Sequence, residues 1–387
     1  MSEAIITPQV LRWAIDRAQI SVDTLANKTK IKLEKLNSWV NGDAHPTFRQ
    51  AQEIASRLNI PFGYLFVSKP PEEKLELPDL RCVGDTHCEP LSINFRDLLN
   101  DVLLKQQWYH DYLLKNEALR LDFIGSFSIN NNFLVVAEDI IRKIGINDEL
   151  RFQSESWEAF LRKFIKKIEE NGILVLRSGV VGNNPHRKLS EKEFRGFAIC
   201  DRLAPLIFIN SKDSKTAQIF TLAHELTHLW IGQSGISNPD LKNITTENVL
   251  PVEIFCNKVA AQVLVPKDTF LNDWRSDYSV DHNIYALVRK YRVSSVVILR
   301  RALELEKISR DIFFEYYQQE INRYTSRISE ESGGDFYRTL FARNSKILSR
   351  AILTSLYEGN VLYRDAARLL GVKVNRLKQI ADDLGVR

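Results

Sequence analysis

Cysteine is scarce in this 387-residue chain: there are four, Cys82, Cys88, Cys200 and Cys256, without paired spacing. That usage excludes a disulfide framework and fits a reducing compartment. No apolar run reaches membrane-spanning length, and the N-terminus Met-Ser-Glu-Ala-Ile-Ile-Thr-Pro lacks the basic and apolar regions of a secretory leader. A cytoplasmic protein with no membrane partner is expected. Excess charge is missing too: 53 basic residues face 49 acidic ones, a net of +4, so any nucleic-acid surface must be local. Cys82, His87 and Cys88 lie close together, but His-Cys adjacency is not a zinc-binding spacing, and they read as loop residues. What is present, 44% apolar and 26% charged residues, suits a soluble globular protein long enough for two or three domains.

The stretch from Ala217 to Trp230 contains neither Pro nor Gly. It reads as a helix bounded by Asp213 or Ser214 before it and Gly232 after it. Ile219, Phe220, Leu222, Ala223, Leu226, Leu229 and Trp230 make most of its circumference apolar, the pattern of a buried helix. Yet Gln218, Thr221, His224, Glu225 and His228 form one polar stripe at helical spacing. His224 and His228, four apart, leave the same face and can reach one metal ion. Glu225 beside them can touch a water on that ion, the His-Glu-x-x-His arrangement of zinc peptidases with the Glu as general base. The bland alternative is a pair of core histidines satisfied by hydrogen bonds, but unpaired imidazole and carboxylate groups are costly in a buried helix.

A catalytic zinc site needs a third protein ligand and one open position. Glu253 is the candidate. It lies in a second expected helix that Pro251 opens and Pro266 ends. Glu253, Asn257, Ala260, Ala261 and Leu264 share a face; the alanines permit close approach to the first helix, and Asn257 can support a ligand from behind. Glu253 could instead merely complement the helix N-terminus, and Glu247 is the nearest rival ligand.

The run Phe-Thr-Leu-Ala-His-Glu-Leu-Thr-His, followed by Glu-x-x-x-Asn-x-Val-Ala-Ala-x-Val-Leu-Val-Pro, resembles the ImmA/IrrE family of intracellular metallopeptidases. The resemblance implies that His224, His228 and Glu253 hold Zn2+ and that Glu225 is the catalytic base. It also implies a protein substrate, a repressor-type DNA-binding protein. Thr227 stands where many members carry Gly, between the ligands and away from the metal.

Before that core, residues 8 to 66 read as five short helices. They resemble a phage-repressor-type (Xre) helix-turn-helix whose third helix, Leu33 to Val40, enters the DNA major groove. Lys32, Glu34, Lys35 and Ser38, with Leu33, are the candidate DNA contacts. An acidic Glu34 faces phosphates poorly, and Val40 replaces the Glu usual before Asn-Gly. Residues 1–66 carry eight basic and six acidic residues, a net of only +2, so a fold that now binds protein is the alternative. Pro70 to Pro78 is a polar, Pro-punctuated linker. A long helix follows Ser92, then helices at Phe133–Ile144 and Trp157–Glu170. Strands are expected at 172–177, 196–200 and 205–210, a small sheet whose exposed edge can pair with a substrate peptide. His186, in a loop, could border the cleft, though an exposed His without a role is the simpler reading.

After Pro266 the chain is mainly helical, with a second helix-turn-helix pattern near 284–303 and another after Tyr363. Gly333-Gly334 breaks the chain before the last piece, where residues 338–387 hold ten basic and four acidic residues. The expected fold is α+β and mostly helical. Its parts are a helix-turn-helix domain (1–68), a linker and helical spacer (69–150), a zincin-like metallopeptidase domain (151–310) and a basic helical C-terminal region (311–387). The expected function is a cytoplasmic zinc endopeptidase with a regulatory role. Tyr278, His282 and Tyr285 are oxyanion candidates by nearness in sequence only. The rival is a DNA-binding regulator or antitoxin-like protein with a structural or idle metal site, closed by a fourth ligand such as Cys256 or Glu247.

Overall fold

The computed structural model describes residues 2–72, 75–81, 90–239, 249–326 and 336–386. Cys82, His87, Cys88, Glu247 and Gly333-Gly334 lie outside the described residues. Two compact units form: one from residues up to 76 with 90–97, the other from 77–81 and from Leu98 onward. Residues 69–150, which the sequence sets apart as linker and spacer, are therefore divided between the two. Among the described residues no helix is long and apolar enough to cross a membrane.

The first unit contains α1 (Pro8–Arg17), α2 (Val22–Thr29), α3 (Leu33–Asn41), α4 (Phe48–Arg57) and a short 3-10 turn at Phe62–Phe66. Its boundaries follow local chemistry. Pro8 opens α1, the Ser21 hydroxyl accepts from the Thr24 amide at the start of α2, and Thr47 and Gln50 form a reciprocal capping box on α4. Ile6, Leu11, Leu25, Leu36, Trp39, Ile54 and Leu65 close the core. The division between units falls within α5 (Ile93–Lys115).

In the second unit, α6 (Phe133–Ile144), α7 (Asp148–Phe152) and α8 (Trp157–Glu170) precede the sheet. The strands are β1 (Leu174–Ser178), β2 (Gly196–Ile199) and β3 (Leu206–Asn210), after which come α9 (Lys215–Ile231) and β4 (Gly235–Ser237). The sheet order is β1-β3-β2-β4, with β1 parallel to β3 and the other pairs antiparallel. All five residues of β3 are buried, because both faces of the sheet are covered. Val175, Ala198, Ile207 and Ile209 join the core that holds α9. On the other face Phe197 stacks on Phe208, centroids 5.0 Å apart, and Leu176 and Phe208 line a small cavity together with Leu98 and Val102 of α5.

Helices α10 (Pro251–Leu264), α11 (Lys267–Asp273), α12 (Val280–Tyr291), α13 (Ser295–Glu304) and α14 (Arg310–Ser326) follow. The chain ends in α15 (Phe336–Asn344), α16 (Lys346–Tyr357), α17 (Tyr363–Leu370) and α18 (Leu377–Leu384). α10 packs closely against both α9 and α6. Its C-terminal carbonyls are held by the buried Arg151 of α7, whose Nη2 donates to Val263 at 3.0 Å and Leu264 at 3.2 Å.

Of the sheet's two edges, the one at β4 is not free. Residues 78–80 run alongside β4: the Leu80 amide donates to the Ile236 carbonyl at 3.0 Å, and the Ile236 amide donates to the Pro78 carbonyl at 2.9 Å. A short apolar strand leaves its backbone groups unpaired at an edge, and the Pro-rich connection supplies the partners.

Candidate metal centre

Helix α9 begins where Ser214 accepts a hydrogen bond from the Ala217 amide. It ends at Gly232 in the left-handed conformation, φ 68°. The Gly125 amide takes up the Leu229 carbonyl at 2.9 Å and the Phe127 amide that of Trp230 at 3.1 Å. A Cβ on Gly232 would fall 3.0 Å from Gly125 Cα, so glycine suits both the dihedral and the approach. Every residue from Gln218 to Ile231 is buried.

On the polar stripe, Gln218 serves structure: its Nε2 donates to the Asp213 carbonyl at 2.7 Å and its Oε1 accepts from Arg177 at 3.3 Å. The next turns present the site. His228 Nε2 lies 3.2 Å from His224 Nε2 and 3.1 Å from Glu253 Oε1, while His224 Nε2 lies 3.2 Å from Glu253 Oε2. Two imidazole nitrogens and a carboxylate thus form a triangle with near-equal edges. Donors bound at ~2.0–2.1 Å in tetrahedral order are separated by ~3.3 Å, so the donor set fits a divalent ion of the zinc type. Asn257 Oδ1 is 2.9 Å from His224 Nδ1. With Nδ1–H donating there, His224 Nε2 keeps its lone pair for the triangle.

Glu225 is wholly buried, and among the described residues neither of its oxygens has a hydrogen-bond partner. Burial pushes its carboxyl well above the ordinary range, and the charge of Glu253 adds to this. The Ser237 hydroxyl, which makes no proper hydrogen bond to it, offsets the shift only in part. Burial also opposes ionisation of Glu253, but His224 and His228 outweigh it and hold that carboxyl well below its ordinary range. His228 is lowered, by burial first and by His224 among the rest. An orphaned buried carboxylate beside a converging donor set is the environment that a cation relieves.

Three neighbours were not legible as site residues. Ser237 Oγ sits 3.3 Å from His228 Nε2 and 3.4 Å from Glu253 Oε1. Cys200 Sγ donates to the His228 carbonyl at 3.3 Å. Gly196 of β2 lies flat against α9, where a Cβ would meet Thr221 Cγ2 at 2.8 Å, Glu225 Oε1 at 2.9 Å and the Phe208 carbonyl at 3.0 Å. Gly196→Ala is therefore expected to destabilise the chain by about 1–3 kcal/mol, read as a lower urea midpoint with an unchanged slope.

Cys256, one helical turn beyond Glu253, offers a sulfur within 4.8 Å of the imidazole donors. Burial pushes its thiol well above the ordinary range, which keeps it protonated at neutral pH. Thr227 donates to the Ala223 carbonyl at 3.0 Å and is fully buried, away from the triangle. Tyr278, His282 and Tyr285 are exposed, and none is hydrogen-bonded to the triangle. His186 is an exposed turn residue. In the first unit Lys32, Leu33, Glu34 and Lys35 project from the start of α3, whereas the half-buried Ser38 donates to the Lys35 carbonyl at 2.9 Å.

Residues 169–303, which include the triangle, match the family model of the IrrE N-terminal-like domain, a peptidase family. Residues 344–382, spanning α16 to most of α18, match a domain of unknown function, DUF8813. No curated protein matches the chain significantly.

Proposed function

We propose that the chain is a zinc-dependent endopeptidase with a regulatory role, acting on a protein substrate. The observation that carries this reading is the orphaned, wholly buried Glu225 beside the triangle of His224, His228 and Glu253. The peptidase-family match over residues 169–303 supports it. His224, His228 and Glu253 would hold the ion, and Asn257 would fix the His224 tautomer. Bound there, zinc supplies Lewis acidity that makes water acidic near neutral pH and polarises a carbonyl.

The rest falls to the chain's own groups. Glu225 takes a proton from the attacking water at one carboxylate oxygen and delivers it to the leaving amine. The dry surroundings strengthen each of these interactions, since Glu225 is fully shielded from solvent. Ser237 is placed to donate to an oxygen that lies between His228 and Glu253.

The terminal helical units we assign to substrate presentation. Contact with DNA through α3 or the basic tail, or with a DNA-bound partner, would restrict an enzyme otherwise dangerous to other cytoplasmic proteins. The rival, a DNA-binding regulator with a closed structural metal, draws on one observation, the sulfur of Cys256 near the imidazoles. The experiment compares protein cleavage in cells carrying the active chain with cells carrying Glu225→Gln. The proposal expects one main substrate cut only by the active chain, with weak activity on casein. Identical profiles in the two cell lines would contradict it.

A further inference from the structure

The strap on β4 lies one residue from the chemistry. Asp79 is bridged in parallel to Ile236, and Ile236 precedes Ser237, whose hydroxyl touches His228 and Glu253. Two further arrangements hold the strap. Leu80 lies across Gly235, where a Cβ would fall 2.6 Å from Leu80 Cγ, and the leucine packs on the main core. Arg81 turns back on Asp79, Nε to Oδ1 at 2.8 Å and Nη2 to Oδ2 at 2.6 Å, and its Nη1 donates to the Glu193 carbonyl at 3.1 Å.

A strand edge recognises an extended peptide through the main-chain groups that the strap now uses. One edge cannot serve both. Two backbone bonds, each worth only ~1 kcal/mol net, make an attachment that a peptide can replace. The strap lies outside the residues that match the peptidase-family model, in the connection that precedes them.

Resting on the peptidase reading, we propose that residues 78–81 are a resident stand-in for the substrate. The substrate is an extended segment that adds to the outer edge of β4 and lays a branched aliphatic side chain over Gly235, and it docks only when the strap leaves. Gly235 sets the specificity, because the missing Cβ is what admits that side chain against the strand.

The test uses the full zinc-loaded chain carrying Glu225→Gln, with and without the releasing pair Leu80→Gly and Arg81→Ala. Arg81→Ala alone serves as the milder variant should the pair fold poorly. The probe is a synthetic peptide, Glu-Leu-Pro-Asp-Leu-Arg, copying residues 76–81, and its counterpart with Gly in place of the second Leu. Release should speed hydrogen exchange at the Ile236 amide ~10-fold. Millimolar peptide should restore protection in the released chain, its Gly counterpart should not, and the parent should respond to neither.

With Glu225 intact, release should also raise cleavage of casein ~10-fold. Unchanged Ile236 exchange on release, or equal protection by the two peptides, overturns the proposal. Exchange and peptide protection as expected, with no cleavage by any form, overturns the peptidase reading instead and leaves β4 as a peptide-docking edge.

Discussion

Glu225→Gln is expected to abolish proteolysis, reducing it by about 10³-fold or more, while the protein keeps its zinc and its fold. The amide has the shape of the carboxylate but cannot take up the proton that water must lose. Glu225 stands outside the His224–His228–Glu253 triangle, so its replacement removes no donor. Stability does not suffer either. Both Glu225 oxygens are buried without hydrogen-bond partners among the described residues, and an unsatisfied buried polar group is a burden on the fold rather than a support. The midpoint of thermal unfolding of the metal-free variant should therefore equal or exceed that of the parent. Wild-type cleavage by the variant would remove Glu225 from the mechanism. A large fall in its unfolding midpoint would mean that the carboxylate is a structural group.

The double variant His224→Ala, His228→Ala is expected to lose zinc, from about one equivalent to below about a tenth, because two of the three proposed donors are gone. Structural zinc contributes about 10–16 kcal/mol of apparent binding energy in small domains, so removing most of its ligands leaves too little to hold the ion. Glu253→Ala should weaken binding strongly. Asn257→Ala, which frees only the far nitrogen of His224, should weaken it about 10–100-fold. His186→Ala should change nothing, since that ring is exposed in a turn. Metal analysis after dialysis reads all four. Full zinc in the double variant would refute the site.

The two helices that build the centre were legible because their ends carry local signals. Ser214 and Gly232 bound α9, and Pro251 opens α10, which stops before Pro266. Asn257 was legible from its place one turn beyond Glu253, and the structure puts its amide oxygen on His224. What escaped depends on tertiary packing. β4 is three residues, Gly235 to Ser237, too short for a period-2 pattern, so Ser237 gave no signal. Pro78 read as the end of the linker, and Asp79 and Leu80 fell in the linker and spacer region, because their strand-like pairing exists only opposite Ile236. Tyr278, His282 and Tyr285 were candidates by nearness in sequence, but Tyr278 is exposed before α12, and α12 buries Asn283, Ile284, Leu287 and Tyr291 and leaves His282 and Tyr285 exposed. Cys256 was visible as a rival donor; only the structure brings it within reach of the imidazoles.

That sulfur makes the central claim decidable by one measurement, X-ray absorption at the zinc edge of the loaded, full-length protein. A catalytic centre built from His224, His228 and Glu253 predicts only nitrogen and oxygen neighbours at about 2.0–2.2 Å, with two imidazole patterns. Replacing Cys256 with Ser should leave the spectrum unchanged. A sulfur neighbour at about 2.3 Å that disappears in Cys256→Ser would mean a closed, structural site and would contradict the account.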